Sequence, residues 1–190
     1  SSAMHLHDRQ TLTRADHKRF ITYPFDLPAG TRQLDVRFAF DPPAEQGISN
    51  VLSLTLFGPD GWRGASHCCR AAQEISIRAE AATPGYLAGP LPAGAWMLQV
   101  ETHGLVPGTA CTYTLDIASQ DRAAADSLSA VTEAALLPAR PLRGGSAWYR
   151  GDLHTHTVHS DGHVPVAGRV AAAEARGLDF FFLTDHNTVS

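Results

Sequence analysis

The stretches GAWMLQVET (94–102) and CTYTLDIAS (111–119) alternate apolar and polar residues. This period of two places successive side chains on opposite faces of a β-strand. Three more stretches alternate in the same way, namely RQLDVRFAF (32–40), NVLSLTLFGPDG (50–61) and EISIRAE (74–80). Because Pro- and Gly-rich turns separate these runs and no helical pattern interrupts them, residues 20–117 are predicted to form an antiparallel β-sandwich.

The same pattern predicts a turn and part of the core. FGPDGW (57–62) reads as a turn, since Pro59 presets its own φ and Gly61 tolerates a positive one. The alternation assigns a face to each strand residue, although it does not say which sheet a strand joins. The candidates for the interior are Leu54, Leu56, Met97, Val100, Tyr113 and Leu115.

Composition limits the class of protein. Hydrophobic residues make up 44% of the chain and charged residues 18%, which is typical of a globular protein. A formal net charge of −4 gives no reason to expect nucleic-acid binding. No apolar run has the length of a membrane span or the character of a secretion signal, so we expect a cytoplasmic protein without membrane contact. The initial SSA is interpreted as the remnant of a tag.

The three cysteines do not predict a disulfide framework. Cys68 and Cys69 are adjacent, which disfavours a bridge between them, and Cys111 stands alone. We interpret all three as small core residues in a reducing compartment. The run HCC (67–69) also offers ligands for a soft metal, but adjacent thiols chelate poorly.

The pattern changes after the strand-rich region. An Ala-rich stretch followed by Pro138, Pro141 and Gly144–Gly145 predicts a linker with one short helix around 127–137. The predicted organisation is a β-sandwich domain at 5–118, a linker at 119–148 and the N-terminal part of a second domain at 149–190.

The second domain opens with a strand, a helix and a strand. YRGDLHTHT (149–157) predicts a strand that ends in a polar loop, and VPVAGRVAAAEARG (164–177) predicts a helix that begins near Pro165 and ends at Gly177. LDFFFLTDH (178–186) predicts a strand buried on both faces. This order predicts a parallel βαβ unit with a right-handed crossover.

Candidate metal ligands concentrate in GDLHTHTVHSDG (151–162) and at the end of the next strand. His154 and His156 lie two residues apart, so their side chains project to one face. Asp161 adds an oxygen ligand before Gly162, which we expect to let the chain reverse. His186 follows the second strand at the same carboxyl edge of the sheet, where ligands gather in parallel sheets. Together these residues predict a metal site.

GDLHTHTVHSDG followed by GLDFFFLTDHNTVS (177–190) resembles the first two motifs of the PHP superfamily, the polymerase and histidinol phosphatase metallohydrolases. FDLPAGTRQLDVRFAF (25–40), FGPDGWRG (57–64) and TPGYLAGPLPAGAWMLQV (83–100) resemble, more loosely, the β-sandwich of the carbaryl-esterase-like branch. The resemblance implies a distorted (βα)7 barrel after the sandwich, with two or three divalent ions. Zn, Mn and Fe all accept mixed nitrogen and oxygen ligands.

The resemblance also implies roles for individual residues. His154 and His156 would bind one metal, while Asp161 and His186 would serve a neighbouring one. Asp152 and Asp185 each precede a ligand histidine in the sequence. They could orient an imidazole or a bound water, or could be ordinary hydrogen-bonded aspartates. Thr184 and Asn187 could bond nearby backbone and receive no chemical role.

The other histidines and aromatic residues have simpler interpretations. His159 and His163 are interpreted as solvated loop residues, with substrate contact as the alternative. His5 and His7 are interpreted as a surface pair, since no further ligand pattern follows them. We interpret the remaining histidines, His17, His67 and His103, as structural. Trp62, Tyr86 and Trp96 could form a sugar-stacking platform, although core or hairpin packing is commoner at such positions.

Two functions follow as hypotheses. The first is a metal-dependent hydrolase acting on a small-molecule phosphoester or related ester. The resemblance implies further His, Glu and Asp ligands beyond Ser190, so we expect an N-terminal piece of a longer enzyme with little activity of its own. The second hypothesis is a non-catalytic binding or assembly module with an incomplete metal motif. The apolar strand 180–182 further predicts that another copy of the chain, the sandwich or additional sequence covers the βαβ unit.

Overall fold

The fold is described from a computed structural model, which covers residues 3–68, 71–122 and 146–186. The side chains of His67 and Cys68 lie outside this description, as do Cys69 and the segment 127–137. The soft-metal alternative at 67–69 and the short helix in the linker therefore stay predictions. No helix in the described residues is long and apolar enough to cross a membrane.

Strands dominate the described chain. In order they are β1 (His5–Leu12), β2 (Phe20–Leu27), β3 (Gln33–Asp41), β4 (Ala44–Glu45), β5 (Ile48–Ser49), β6 (Val51–Gly58), β7 (Gly61–Cys68), β8 (Ala72–Arg78), β9 (Gly94–Gly104), β10 (Cys111–Gln120), β11 (Gly151–Thr155) and β12 (Phe180–Leu183). A 3₁₀ turn spans Arg14–Asp16, and one α-helix, α1 (Val166–Ala175), lies in the described ranges.

Eight strands form two antiparallel sheets around one core. Sheet I has the order β1-β10-β3-β8, and sheet II has the order β2-β9-β6-β7. A single cluster of buried apolar residues draws on strands of both sheets. The antiparallel architecture predicted for residues 20–117 is therefore confirmed, and two sheets around one core have the arrangement of a β-sandwich.

Alternation along the central strands creates this core. Tyr113, Leu115 and Ile117 of β10 are fully buried, and their partners across the strand pair on β3 are also apolar. Five of the six predicted interior residues are buried, namely Leu54, Leu56, Val100, Tyr113 and Leu115. The prediction for Met97 is wrong: it is only partly buried, because the inward positions of β9 are Trp96, Leu98 and Val100.

Trp96 and Tyr86 pack inward, so the three candidate aromatic residues do not form a sugar-stacking platform. Trp96 is 2% exposed and Tyr86 is 6% exposed. The Trp96 ring lies 6.5 Å from the Phe25 ring, with the Arg63 guanidinium 5.1 Å away on its face. Its indole N–H donates to the Pro92 carbonyl at 2.9 Å. Trp62 is partly buried and lies opposite Phe57 in the β6–β7 hairpin.

The segment 82–86 lies along outer strands of both sheets. Ala82 forms a bridge with Ile77 of β8, and Tyr86 forms one with Gly64 of β7. The second bridge needs glycine, because Gly64 has φ +138° and an added Cβ would lie 2.5 Å from the Tyr86 Cα. The opposite outer strand of sheet II, β2, contains Pro24.

A polar chain leads from the core to the surface between the sheets. The Tyr23 hydroxyl lies 2.5 Å from the Tyr113 hydroxyl and donates to the Asp8 carboxylate at 2.6 Å. Burial raises the pKa of both tyrosines. The hydrogen bond from Tyr23 lowers the pKa of Asp8. These groups satisfy one another, so the chain can cross the core without an unpaired hydroxyl.

Cys111 is a buried thiol at the start of β10. It is 1% exposed, and burial raises its pKa to about 11. The interpretation of Cys111 as a small core residue is confirmed.

The predicted strand, helix and strand after the linker are present. β11 and β12 pair in parallel, with Gly151 opposite Phe180, and α1 connects them. Pro165 precedes the first helical residue, and Gly177 follows the helix with φ +65°. The expected two-sided burial of the second strand is not found, because Phe180 and Phe182 are 36% and 55% exposed. In the described residues β12 has one neighbouring strand, and α1 contains no buried residue.

Candidate metal centre

Four candidate ligands meet at the carboxyl edge of the β11–β12 pair. His154 is in β11 and His156 follows its last residue. His186 follows β12, and Asp161 lies in the loop between β11 and α1. The parallel pairing puts both strand ends at one edge of the sheet. The parallel pairing of β11 and β12 therefore brings together residues that are up to 32 positions apart in the sequence, from His154 to His186.

His154 and His156 face each other through the same ring atom. Their Nε2 atoms are 2.7 Å apart, and the ring centroids are 4.7 Å apart. At this distance one Nε2 donates a proton and the other accepts it, so the two rings differ in tautomer when both are neutral. Both side chains thus lie on one side of the strand end, as the spacing predicts.

His156, Asp161 and His186 form a second group on the other side of the His156 ring. His156 Nδ1 lies 3.3 Å from Asp161 Oδ1, and His186 Nε2 lies 3.6 Å from Asp161 Oδ2. The two imidazole rings stack with centroids 4.8 Å apart. One possible ligand atom from each of the three residues lies within 4.8 Å of the others.

This donor set suits a divalent ion. Two imidazole nitrogens and one carboxylate oxygen are ligands that Zn²⁺ and related ions accept. Ligand atoms about 2.1 Å from a tetrahedral ion are about 3.4 Å from one another. The distances of 3.3 Å to Asp161 Oδ1 and 3.6 Å to Asp161 Oδ2 are each close to that value. With one ligand atom from each residue within 4.8 Å of the others, the residues present fit a metal ion.

His156 belongs to both halves of the cluster, because its Nε2 faces His154 and its Nδ1 faces Asp161. Two arrangements are therefore open. One ion bound by His156, Asp161 and His186 would have three protein ligands. Alternatively, His154 and His156 would bind one ion, and Asp161 with His186 a second. The latter is the division that the resemblance implies.

The loop between β11 and α1 folds around Thr157. Its carbonyl accepts hydrogen bonds from the N–H groups of Ser160, at 3.1 Å, and Gly162, at 2.9 Å. The expected role of Gly162 needs correction, since Gly162 does not have a positive φ. Instead, an added Cβ would lie 2.4 Å from the His156 carbonyl oxygen. Glycine is needed there because the backbone comes back against His156.

Asp152 and Asp185 differ in their exposure and in their hydrogen-bond partners. Asp152 is exposed and accepts the His154 N–H at 3.1 Å. The Asp185 side chain is 3% exposed. It accepts hydrogen bonds from the Thr157 N–H at 2.6 Å, the Thr157 hydroxyl at 2.5 Å and the Ser160 hydroxyl at 2.6 Å. The nearest approach of Asp185 to the His156 Nδ1 is 4.0 Å, so these three contacts go to the loop and not to the imidazole.

Three residues near the cluster were missed by the sequence analysis. Thr157 and Ser160 are buried at the cluster, and the Arg169 Nε donates to the His156 carbonyl at 2.8 Å. The hydroxyl residues lie between the ligands in HTHTVHSD (154–161), which is a signal that could have identified them. Arg169 carries no such signal, because it reaches the site from the helix.

Four other polar residues, namely Thr184, Asn187, His159 and His163, are close in sequence to the candidate ligands. Thr184 bonds the backbone, as expected, through its N–H and hydroxyl to the Thr155 carbonyl at 2.8 and 3.1 Å. Asn187 lies outside the described residues. His163 is exposed and His159 is partly buried. The prediction of solvated loop histidines therefore fits His163 better than His159.

The described histidine side chains of the β-sandwich are not part of this cluster. His5 and His7 are an exposed pair on β1 whose ring nitrogens lie 3.3 and 2.8 Å from the Asp116 Oδ1. These contacts, chiefly the one with His7, lower the pKa of Asp116. His17 accepts the Leu105 N–H at 3.3 Å, and His103 lies 3.2 Å from Glu101. Surface and structural interpretations hold for these four residues.

No protein-family model matches the chain, and no curated protein matches it. The assignment to the PHP superfamily therefore rests on the residues themselves and becomes a proposal.

Proposed function

We propose that this chain carries the first part of a PHP-type metal centre and acts in the metal-dependent hydrolysis of a phosphoester or related ester. The supporting observation is the convergence of His154, His156, Asp161 and His186 at one edge of a parallel sheet. The donor set fits Zn, Mn or Fe. The finer architecture, a distorted (βα)7 barrel behind the β-sandwich with two or three ions, belongs to the same proposal.

When bound, divalent ions supply the Lewis acidity that activates water for attack on an ester. The chain's own residues prepare the site. In the arrangement with three ligands around one ion, His156 would bind through Nδ1, which faces Asp161. In the arrangement with two ions, His156 would bind through Nε2, which faces His154. Arg169 holds the His156 carbonyl from α1 and so fixes the backbone of this ligand.

A measurement of metal binding tests the roles of these residues directly. Calorimetric titration with Zn²⁺ and Mn²⁺ is expected to show a saturable site in the wild type that His156→Ala and His186→Ala weaken strongly. His163→Ala is the matched control, since His163 is an exposed histidine of the same loop. Equal binding by all four proteins would contradict the proposal. The stoichiometry distinguishes one three-ligand ion from two ions.

Hydrolysis is the second measurement. Chromogenic phosphate and carboxylic esters are assayed with added Mn²⁺ or Zn²⁺, on this chain and on a longer gene product where the gene encodes one. Metal-dependent turnover that His156→Ala abolishes supports the hydrolase. Metal binding without turnover of either ester by the longest product favours the binding or assembly module.

A further inference from the structure

The residues that flank the three clustered ligands bond to one another. Thr157 follows His156, Ser160 precedes Asp161, and Asp185 precedes His186. The hydroxyls of Thr157 and Ser160 and the N–H of Thr157 all donate to the Asp185 carboxylate. Each ligand therefore has a neighbour in the chain that takes part in one hydrogen-bonded group. We call Thr157, Ser160 and Asp185 the ligand clamp.

The ligand clamp is buried, whereas the ligands are more open. Thr157 is 0% exposed and Ser160 is 5% exposed, while the side chains of Asp161 and His186 are each 47% exposed. Burying a carboxylate is costly unless donors satisfy it. Moving the loop away from β12 would remove three donors from Asp185 at once, so the loop and the strand end are held together.

We propose that the ligand clamp holds His156, Asp161 and His186 in a metal-ready arrangement, and that Asp185 is a positioning residue and not a ligand. The inference rests on the proposed function insofar as these three residues bind the ion. The clamp itself exists in the metal-free protein, so it can be tested whether or not a metal binds.

The two oxygens of Asp185 make a sharp pair of variants possible. Oδ1 accepts the Thr157 N–H and the Ser160 hydroxyl, and Oδ2 accepts the Thr157 hydroxyl. In Asp185→Asn the amide oxygen can take the place of Oδ1, and the amide N–H can donate to the Thr157 hydroxyl oxygen. Asparagine therefore preserves the clamp without the charge, whereas Asp185→Ala removes it.

Calorimetric Zn²⁺ titration of these variants tests the proposal. Asp185→Ala is expected to lose about 10- to 100-fold in affinity with unchanged stoichiometry, and Asp185→Asn less than about tenfold. Glu174→Ala is the matched control, because Glu174 is an exposed carboxylate on α1, and it is expected to bind like the wild type. An Asn variant as weak as the Ala variant would show that the charge matters, and a stoichiometry lower by one would make Asp185 a ligand. Either result, or wild-type affinity in Asp185→Ala, overturns the proposal.

Amide hydrogen exchange in the metal-free chain separates this proposal from the proposed function. Asp185→Ala, and to a smaller extent Ser160→Ala and Thr157→Val, are expected to speed exchange of the Thr157 and Gly162 amides about tenfold or more. Exchange in the β-sandwich should not change and serves as the folding control. If the wild type binds no metal, the proposed function fails, while the clamp is still supported by this change. Unchanged loop exchange in all three variants overturns the clamp.

Discussion

The β-sandwich and the segment 146–186 differ in the kind of residue that they bury. In the sandwich, most buried residues are apolar, such as Leu115 of β10 and Leu98 of β9, although Thr102 and Ser119 on the same strands are buried polar residues. In 146–186, the buried residues among those described are Thr157 and Ser160, both polar and both in the ligand clamp. The sandwich is therefore stabilised mainly by apolar burial, while the order around the candidate ligands depends on hydrogen bonds. Substitutions should affect the two regions separately.

The largest expected effect is in the sandwich core. Trp96→Ala removes a side chain that packs against Phe25 and Arg63 and should lower the free energy of unfolding by about 3–5 kcal/mol. Urea denaturation followed by circular dichroism measures this loss. Trp148→Ala is the matched control, because Trp148 is 99% exposed. Similar losses in the two variants would contradict the contrast between the regions.

Gly162→Ala should disturb the candidate site and leave the sandwich intact. The new Cβ would lie 2.4 Å from the His156 carbonyl oxygen, and relieving such an overlap costs about 1–3 kcal/mol. We expect shifted His156 and His186 resonances in NMR spectra with unchanged signals from β9 and β10. Unchanged histidine resonances would mean that the loop does not close against His156 as described.

A smaller effect is expected at the polar edge of the core. Asp8 has its pKa lowered below 3.8, chiefly by the Tyr23 hydroxyl. A group whose pKa falls on folding stabilises the fold at pH values above its unfolded pKa. That contribution disappears as pH falls from 3.8 through the lower folded value.

Asp8→Asn should therefore cost about 1 kcal/mol near neutral pH, and the difference from wild type should shrink below pH 3.8. Urea denaturation at a series of pH values measures it. Asp26→Asn, at an exposed position of β2, is the control. A difference that is constant with pH would rule out the Tyr23–Asp8 contact as its source.

The smallest effect is expected on the exposed face of β12. Phe182 is 55% exposed, so Phe182→Ser should change the free energy of unfolding by less than about 0.5 kcal/mol in dilute protein. Coverage by a second copy is one of the three alternatives that the apolar sequence predicts. If a second copy covers this strand, the wild type should sediment as a larger species at high concentration, and the Ser variant should not. A wild type that stays monomeric at all concentrations would contradict coverage by a second copy.

Alternation carries most of the information about the sandwich. A period of two predicts β9 and β10 because their inward faces are continuous and apolar. The error at Met97 arose because Met97 and Val100 are an odd number of residues apart and so lie on opposite faces of β9. Trp96 is the residue that shares the inward face with Val100.

The sequence was sufficient to predict the candidate ligands that lie at the ends of strands. His154, His156 and His186 lie at or just after β11 and β12, and parallel pairing brings those ends together. Thr157 and Ser160 were missed because their partner, Asp185, is 25 or more positions away, and no local period reports a bond between side chains of different elements. The exposure of Phe182 was missed because an apolar strand predicts burial without saying what lies against it.

The segment 82–86 has a consequence for how the sandwich meets other chains. By bridging Ile77 of β8 and Gly64 of β7, it occupies part of the free backbone of both outer strands on that side of the molecule. On the opposite edge of sheet II, Pro24 interrupts the row of amide donors along β2. Exposed sheet edges template amyloid-like stacking, and interrupted or occupied edges resist it. The edges of β7, β8 and β2 are thus protected against aggregation by backbone pairing or by proline. This protection does not require a charged residue at those edges.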